Sequence, residues 1–266
     1  MNTTLNTNSI SVKDKQTINN FIKFQTNHIN DNNKWYHDSY ITGFNILFNT
    51  PFSLTDFSNK LKNINWEFKF VDGYLSSFEY FKCLGNQVLP IINKVRDNDH
   101  LLYADFPDMI HDMIGHAPML FSNKYTNFLN KIYILIDSIE RTDIDIEYMS
   151  LQGVTKEERE KNMDAINKID KFLQKEPTLF YEINTMALWT VEFGILEYNS
   201  SYQAYGAAVV GSPLEMNNLI LNHIPIKKLN PNAKDKVSFN FSTFQEALYS
   251  TQKIEDVLDL MESMKK

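Results

Sequence analysis

The stretch Phe106-Pro-Asp-Met-Ile-His-Asp-Met-Ile-Gly-His-Ala-Pro118 decides both the fold and the chemistry expected of this chain. Asp105 can cap a helix whose second residue is Pro107, and the negative charge of Asp108 suits the first helical turn. Apolar side chains then recur at i, i+3, i+4, i+7 and i+8, the pattern of a helix packed on a core. The pattern predicts a helix over residues 105–115, with a buried stripe of Phe106, Met109, Ile110, Met113 and Ile114.

The two histidines of this stretch are candidate metal ligands. Five residues rotate a side chain by about 140° around an ideal helix, so His111 and His116 would not converge if both were α-helical. Gly115 allows the helix to end, and Pro118 prevents it from resuming. We therefore expect His116 to turn back towards His111.

A lone glutamate supplies a possible third ligand. Glu192 is the only charge in the run Ile183–Leu196, which is apolar on nearly every side and predicts a buried helix. A buried carboxylate needs a cation, either a metal ion or an arginine. Taken alone, a structural ion pair is the more common explanation. Together with His111 and His116, Glu192 completes the ligand set of non-haem Fe(II) oxygenases.

Three sequence blocks carry a resemblance to a known family. They are His111–Pro118, the Thr-Val-Glu-Phe-Gly segment that contains Glu192, and Ala204-Tyr-Gly-Ala207. In this order they resemble the catalytic domain of the tetrahydropterin-dependent aromatic amino acid hydroxylases, over about residues 35–265. The resemblance implies a mainly α-helical domain with short β segments. It also implies an Fe(II) enzyme that uses tetrahydrobiopterin or a similar pterin and O2 to hydroxylate a free aromatic amino acid, with phenylalanine converted to tyrosine as the expected reaction.

The resemblance also implies a substrate site. Arg96 matches an arginine that grips the substrate carboxylate, a task that suits a guanidinium fork. Without the resemblance, Arg96 would be interpreted as a solvated charge near Asp97 and Asp99. Asp108 is predicted to orient Arg96 or a ligand histidine, although an aspartate at a helix start needs no such role. Ser212 is the remaining member of a family serine pair and is expected to contact substrate.

The segment Val71–Tyr80 resembles the pterin-binding loop of the family and the helix that follows it. Considered alone, it is an ordinary turn before an amphipathic helix. By resemblance, the ring of Tyr80 would stack on the pterin where the family usually has phenylalanine. The residues expected to contact the cofactor are Gly73, Tyr74, Leu75, Ser77, Tyr80 and Asp112.

Several departures from the family pattern leave the substrate open. They lie where the substrate is expected, and comprise Ala104, Phe106, Ala187, Leu188, Gly211 and Ser250. The same chemistry on tyrosine or tryptophan remains an alternative, as does a non-catalytic binding protein that retains the fold. A zinc peptidase is disfavoured because its motif places two histidines one helical turn apart, with a glutamate after the first.

Whole-chain properties favour one domain. The 266 residues can bury one substantial core, and we expect residues 17–266 to form it behind a flexible polar tail, residues 1–16. A net charge of -7 argues against a nucleic acid partner. The sequence shows no membrane span or export signal, and the lone Cys83 excludes an internal disulfide, so a cytoplasmic protein is expected. By resemblance, a monomer is expected, because the chain has no room for the regulatory domain or the tetramerisation helix of other family members.

Periodicity gives a mostly helical chain with two short strands. The strands are expected at Trp66–Val71 and Lys236–Phe241. The expected helices lie near residues 17–30, 37–48, 54–63, 77–95, 105–115, 122–140, 155–175, 177–198, 212–222 and 253–265.

Overall fold

The computed structural model describes residues 10–73, 75–102, 106–152, 155–229 and 245–265. Within these ranges helices dominate and the strands are short, which confirms the predicted fold class. Among the described helices, none combines the length and the hydropathy that a bilayer span requires. The α-helices are α1 (Val12–Asn32), α2 (Asp38–Phe48), α3 (Leu54–Lys62), α4 (Ser77–Gly85), α5 (Asn123–Asp137), α6 (Asp143–Gln152), α7 (Lys156–Lys175), α8 (Leu179–Phe193), α9 (Ala207–Val210), α10 (Pro213–Ile220) and α11 (Asp256–Ser263).

The strands of the described residues form two small sheets. In the first, β1 (Glu67–Val71) and β2 (Val88–Ile92) pair in parallel, with α4 as the connection between them. The second has the order β4-β3-β6-β5, in which β3 and β4 form an antiparallel hairpin and β6 runs parallel to both β3 and β5. Its strands are β3 (Ile195–Tyr198), β4 (Ser201–Ala204), β5 (Ile226–Lys228) and β6 (Leu248–Thr251).

Two of the predicted helices are too long. The helix expected over residues 77–95 ends at Gly85, and the apolar segment Val88–Ile92 is instead a strand. Pro90 within this segment is incompatible with a helix interior. The helix expected over residues 177–198 ends at Phe193, since Gly194 adopts an extended backbone and Ile195–Tyr198 forms β3.

Other boundaries also differ from the sequence-based expectation. Helix α1 begins at Val12, where Ser11 accepts the Asp14 N–H as an N-cap, so residues 12–16 of the predicted tail are helical. Helix α6 was not predicted. The strand expected at Trp66–Val71 is confirmed as β1, and the strand expected at Lys236–Phe241 lies outside the described residues.

A glycine brings α2 against the segment that carries the histidines. A Cβ at Gly43 would lie only 1.9 Å from the carbonyl oxygen of Pro118. Only a residue without a side chain allows this approach. The neighbouring Phe44 and Leu47 are buried in the core, so α2 packs against the segment that contains the two histidines and Pro118.

Candidate active site

The two histidines lie in a π-helix. Residues His111–His116 form this element and continue directly into a 3₁₀ helix, Ala117–Phe121. The prediction that the helix ends at Gly115 is therefore wrong, yet the histidines do converge. Hydrogen bonds from i to i+5 place residues five apart on the same side of a π-helix. The two imidazole centroids lie 5.0 Å apart with their planes at 85°.

Pro118 leaves one helix carbonyl without its usual amide partner. In an α-helix, the carbonyl of Ile114 would accept a hydrogen bond from the residue at position 118, and Pro118 has no N–H. The hydroxyl of Tyr40 donates to this carbonyl at 3.0 Å instead. The backbone can thus widen without leaving a buried acceptor unpaired.

The start of this helical segment also differs from the prediction. Phe106 is 53% exposed, so it does not belong to the buried stripe, which begins at Met109. The capping role predicted for Asp105 lies outside the described residues. The carboxylate of Asp108 accepts the backbone N–H of His111 at 2.9 Å. Asp108 therefore caps this helical segment, three residues after the cap expected from sequence.

Helix α8 carries Glu192 to a position between the two imidazoles. Its Oε2 lies 3.2 Å from Nε2 of His111, and its Oε1 lies 3.1 Å from Nε2 of His116. Burial opposes ionisation of Glu192, but the two imidazoles outweigh it and hold the pKa of the carboxyl well below its usual range. Burial likewise opposes protonation of His111, but the Glu192 carboxylate raises the pKa of that imidazole.

This donor set fits a divalent metal ion. Bonds of about 2.1 Å at right angles place neighbouring ligand atoms about 3 Å apart, close to the separations of the two Nε2 atoms from the Glu192 carboxylate. In the part of the chain that the structure describes, no lysine or arginine forms a salt bridge with Glu192. The arginine ion pair considered from sequence is therefore not formed there.

A second carboxylate lies beside the same histidines. Ligand atoms of His111, Asp112 and His116 all lie within 4.8 Å of one another. One oxygen of Asp112, Oδ2, accepts the backbone N–H of Ile92 at 2.7 Å, which ties the π-helix to β2. Burial raises the pKa of Asp112 to about 6, although the imidazoles and the Ile92 amide act in the opposite direction. Glu192 is not a member of that group, although its two carboxylate oxygens each contact one of the two imidazoles.

Arg96 is buried and pairs with Asp108. Its Nε donates to Oδ2 at 2.9 Å, its Nη2 donates to Oδ1 at 2.6 Å, and its Nη1 donates to the carbonyl of Leu101 at 3.3 Å. The guanidinium also lies 5.5 Å from the ring centroid of Phe21 in α1. The side chain is only 6% exposed, so the alternative of a solvated charge is wrong.

The residues predicted for the pterin are only partly described. Gly73 forms an isolated backbone bridge with Thr155, Leu75 is half-buried, and Tyr74 lies outside the described residues. The hydroxyl of Ser77 accepts a hydrogen bond from Nδ2 of Asn184.

Sequence reasoning missed Asn184, which lies on α8 two turns before Glu192. It is buried, and no partner for its Oδ1 is found among the described residues. The signal that could have found it is an amide within an otherwise apolar run.

The structure describes the contacts of Ser212 and of three positions at which the sequence departs from the family pattern. The hydroxyl of Ser212 caps α10, where it accepts the N–H of Glu215 at 3.4 Å. Ala187 and Gly211 are buried, and Ser250 donates to Glu197 at 3.1 Å across the second sheet. No hydrogen bond described for Ser212 joins it to the histidines or Arg96, and Ala104 lies outside the described residues.

Comparison with known proteins identifies the family. The family model for biopterin-dependent aromatic amino acid hydroxylases matches residues 46–152 and 159–266. This chain belongs to that family.

The relatives that match this chain share only about a quarter of the aligned residues with it. A probable aromatic amino acid hydroxylase from Chlamydia pneumoniae is 24% identical over 71% of this chain and 47% of its own length. Phenylalanine-4-hydroxylase from Dictyostelium discoideum is 24% identical over 78% of this chain and 39% of its own length. Human tyrosine 3-monooxygenase is also 24% identical, over 79% of this chain and 33% of its own length. The chain thus spans less than half the length of these relatives.

Solved structures share the fold over nearly the whole chain. Phenylalanine hydroxylase from Legionella pneumophila has a TM-score of 0.70 at 18% identity, covering 96% of this chain and 91% of that one. Phenylalanine hydroxylase from Chromobacterium violaceum, with bound iron(III) and 7,8-dihydrobiopterin, has a TM-score of 0.71 at 16% identity, covering 97% of this chain and 82% of that one.

Proposed function

We propose that this protein is an Fe(II)- and tetrahydropterin-dependent monooxygenase that hydroxylates the ring of a free aromatic amino acid with O2, with phenylalanine converted to tyrosine. The observation that carries the proposal is the position of the Glu192 carboxylate, 3.2 Å from Nε2 of His111 and 3.1 Å from Nε2 of His116. Two imidazoles and one carboxylate on one side of an ion leave its remaining positions open, which is the arrangement used by non-haem iron oxygenases.

In this proposal His111, His116 and Glu192 hold the metal. When bound, the iron and the reduced pterin together would activate O2 for transfer of one oxygen atom to the aromatic ring. The protein itself supplies no nucleophile. The apolar side chains around the metal site would keep water from the reacting atoms, and the polar side chains would orient the pterin and the amino acid.

Arg96 is proposed to bind the carboxylate of the amino acid. A guanidinium has five N–H donors, and the hydrogen bonds found among the described residues, to Asp108 and to the Leu101 carbonyl, use three of them. The two donors that remain, one on Nη1 and one on Nη2, can grip a second carboxylate in bidentate fashion. Asp108 fixes the guanidinium plane and therefore the direction of this grip.

The pterin is proposed to lie along the loop that begins at Gly73, beside the ring of Tyr80. In the described structure, the Ile92 amide engages only Oδ2 of Asp112, so the other oxygen can accept a hydrogen bond from the pterin ring. Phenylalanine as substrate is supported by the phenylalanine hydroxylases among the relatives and solved structures. Tyrosine is the second candidate, because a tyrosine 3-monooxygenase matches at the same identity of 24%.

Turnover with amino acids tests the proposal. The protein is loaded with Fe(II) without oxygen, then given tetrahydrobiopterin, O2 and phenylalanine, tyrosine or tryptophan, and products are identified by mass spectrometry. Tyrosine formed from phenylalanine is the expected result. Hydroxylation of tyrosine or tryptophan alone would correct the substrate, and no hydroxylated amino acid would contradict the proposed function. The sequence-based expectation of a cytoplasmic monomer is part of the same proposal and is tested by light scattering and by cell fractionation.

A further inference from the structure

The phenol of Tyr80 contacts the imidazole of His116. Its hydroxyl oxygen lies 3.1 Å from Nδ1 and 3.3 Å from Nε2 of that ring. The two ring centroids lie 5.8 Å apart with an interplanar angle of 60°. The hydroxyl therefore faces the imidazole edge that joins the two nitrogens, a contact that the predicted stacking role of Tyr80 does not require.

The fold holds Tyr80 at this place from both sides. Ser76 caps α4 through the N–H of Glu79, and the carbonyl of Ser76 accepts the Tyr80 N–H at 2.9 Å. The next residue, Phe81, is fully buried and packs edge-on against the Tyr80 ring at 5.6 Å. Tyr80 is therefore held on the first turns of a capped and anchored helix, not on a loop.

A metal-binding imidazole needs a partner for its second nitrogen. A hydrogen bond from Nδ1–H fixes the tautomer and the ring orientation, and leaves the lone pair of Nε2 for the metal. Nε2 of His116 is the atom that lies beside Glu192, at 3.1 Å from Oε1. The Tyr80 hydroxyl lies within hydrogen-bond distance of both ring nitrogens, and Nδ1, at 3.1 Å, is the one that requires the second partner.

We propose that Tyr80 is a positioning residue for the metal centre, whose phenolic oxygen accepts the Nδ1–H of His116 and directs Nε2 towards the ion. This inference rests on the metal site of the proposed function. It assigns the hydroxyl of Tyr80 to the histidine, whereas the aromatic face of the same residue remains available to the pterin.

Substitution Tyr80→Phe separates the two roles, because it keeps the ring and removes only the hydroxyl. The measurement is the dissociation constant of Co(II), obtained by competition with a chelator and checked by the visible spectrum of the bound ion. Loss of an outer-shell hydrogen bond to a metal ligand weakens metal binding about 10- to 100-fold. We expect a loss within this range for Tyr80→Phe.

Tyr125→Phe is the matched control. Tyr125 is also buried near Glu192, and its ring packs edge-on against Tyr205 at 6.3 Å. No hydrogen bond described for its hydroxyl reaches His111, His116 or Glu192. The control should bind Co(II) as the unchanged protein does, whereas equal loss in both variants would overturn the proposal by showing a general effect of removing a buried phenol.

Wild-type affinity of Tyr80→Phe for Co(II) would also overturn the inference. Failure of the proposed function has a different signature, since the unchanged protein would then bind no metal at this site. If Tyr80→Phe does not fold, nuclear magnetic resonance of the unchanged, zinc-loaded protein replaces it. A slowly exchanging Nδ1–H proton on His116 is expected, and rapid exchange of that proton with water would contradict the hydrogen bond.

Discussion

The carboxylate of Asp108 holds the guanidinium of Arg96 with both oxygens, at 2.9 Å from Nε and 2.6 Å from Nη2. The Oδ1 atom that binds Nη2 also accepts the backbone N–H of His111 at 2.9 Å, and Oδ2 also accepts the Arg96 N–H at 2.8 Å. One buried carboxylate thus joins the proposed substrate-binding arginine to the first residue of the π-helix. Of the two partners expected for Asp108, the structure contains the Arg96 side chain, whereas its hydrogen bond to His111 is made to the backbone N–H and not to the imidazole.

Asp108→Asn should destabilise the fold. The substitution leaves the buried Arg96 guanidinium without a counter-ion, and breaking a buried pair in this way costs about 3–5 kcal/mol. The free energy of unfolding in urea measures the effect. Lys13→Ala is the control, because the Lys13–Asp97 pair is exposed on both sides and its loss should leave unfolding unchanged. Equal stability of Asp108→Asn and the unchanged protein would refute the structural role of the pair.

Arg96→Lys should weaken amino acid binding and leave the metal in place. Lysine keeps the positive charge beside Asp108 but lacks the planar fork for a second carboxylate. Loss of charge-assisted hydrogen bonds worth about 1.5–3 kcal/mol corresponds to a roughly 10- to 100-fold rise in KM for the amino acid. Steady-state kinetics and Co(II) titration measure the two effects. An unchanged KM would remove Arg96 from the substrate site.

Glu192→Gln should abolish metal retention. Glutamine has nearly the same shape, but it lacks the negative charge that the metal requires of this ligand. We expect less than one tenth of the wild-type iron content after desalting, measured by elemental analysis, with far-ultraviolet circular dichroism unchanged. A tenfold fall in metal affinity corresponds to a loss of about 1.4 kcal/mol in the free energy of metal binding. Stoichiometric iron in the variant would exclude Glu192 as a ligand.

Glu215 should make stability fall as the pH rises. Burial raises the pKa of this carboxyl from 4.5 to about 7, and its Oε2 has no partner among the described residues. Between these values the folded state keeps a proton that the unfolded state has released, so stability is present below pH 4.5 and is lost towards pH 7. The loss is roughly 3 kcal/mol at most.

Glu215→Gln should flatten the pH dependence of unfolding over this range. Glu79→Gln, at a half-exposed position of α4, is the matched control and should leave the slope unchanged. The measurement is the free energy of unfolding in urea between pH 4.5, the ordinary pKa of the glutamate carboxyl, and about pH 8. A slope that persists in Glu215→Gln would mean that other groups cause it.

The chemistry of the site was more predictable than its geometry. The residue types of the histidine segment and the single charge in the apolar run of α8 indicated a metal site. The π-helix was not predictable from periodicity, because the Ile114 carbonyl is satisfied by the hydroxyl of Tyr40, which lies on another helix. A local pattern contains no information about such a distant donor.

Long-range pairing explains the other failures. The segment Val88–Ile92 becomes a strand because it pairs with β1, and Ile195–Tyr198 does so because it lies between β4 and β6. A run of apolar residues is compatible with a buried helix or a buried strand, and its neighbours decide between them. The contact between Asn184 and Ser77 likewise joins positions more than 100 residues apart in the sequence.

The most direct test of the account is a crystal structure of the Fe(II)-loaded protein with an anomalous difference map at the iron edge. We predict one strong peak about 2.0–2.2 Å from Nε2 of His111, Nε2 of His116 and a carboxylate oxygen of Glu192. A peak bound by Asp112 in place of Glu192 would correct the ligand set. Iron elsewhere in the molecule, or a map without a peak in iron-loaded crystals, would contradict the proposed active site.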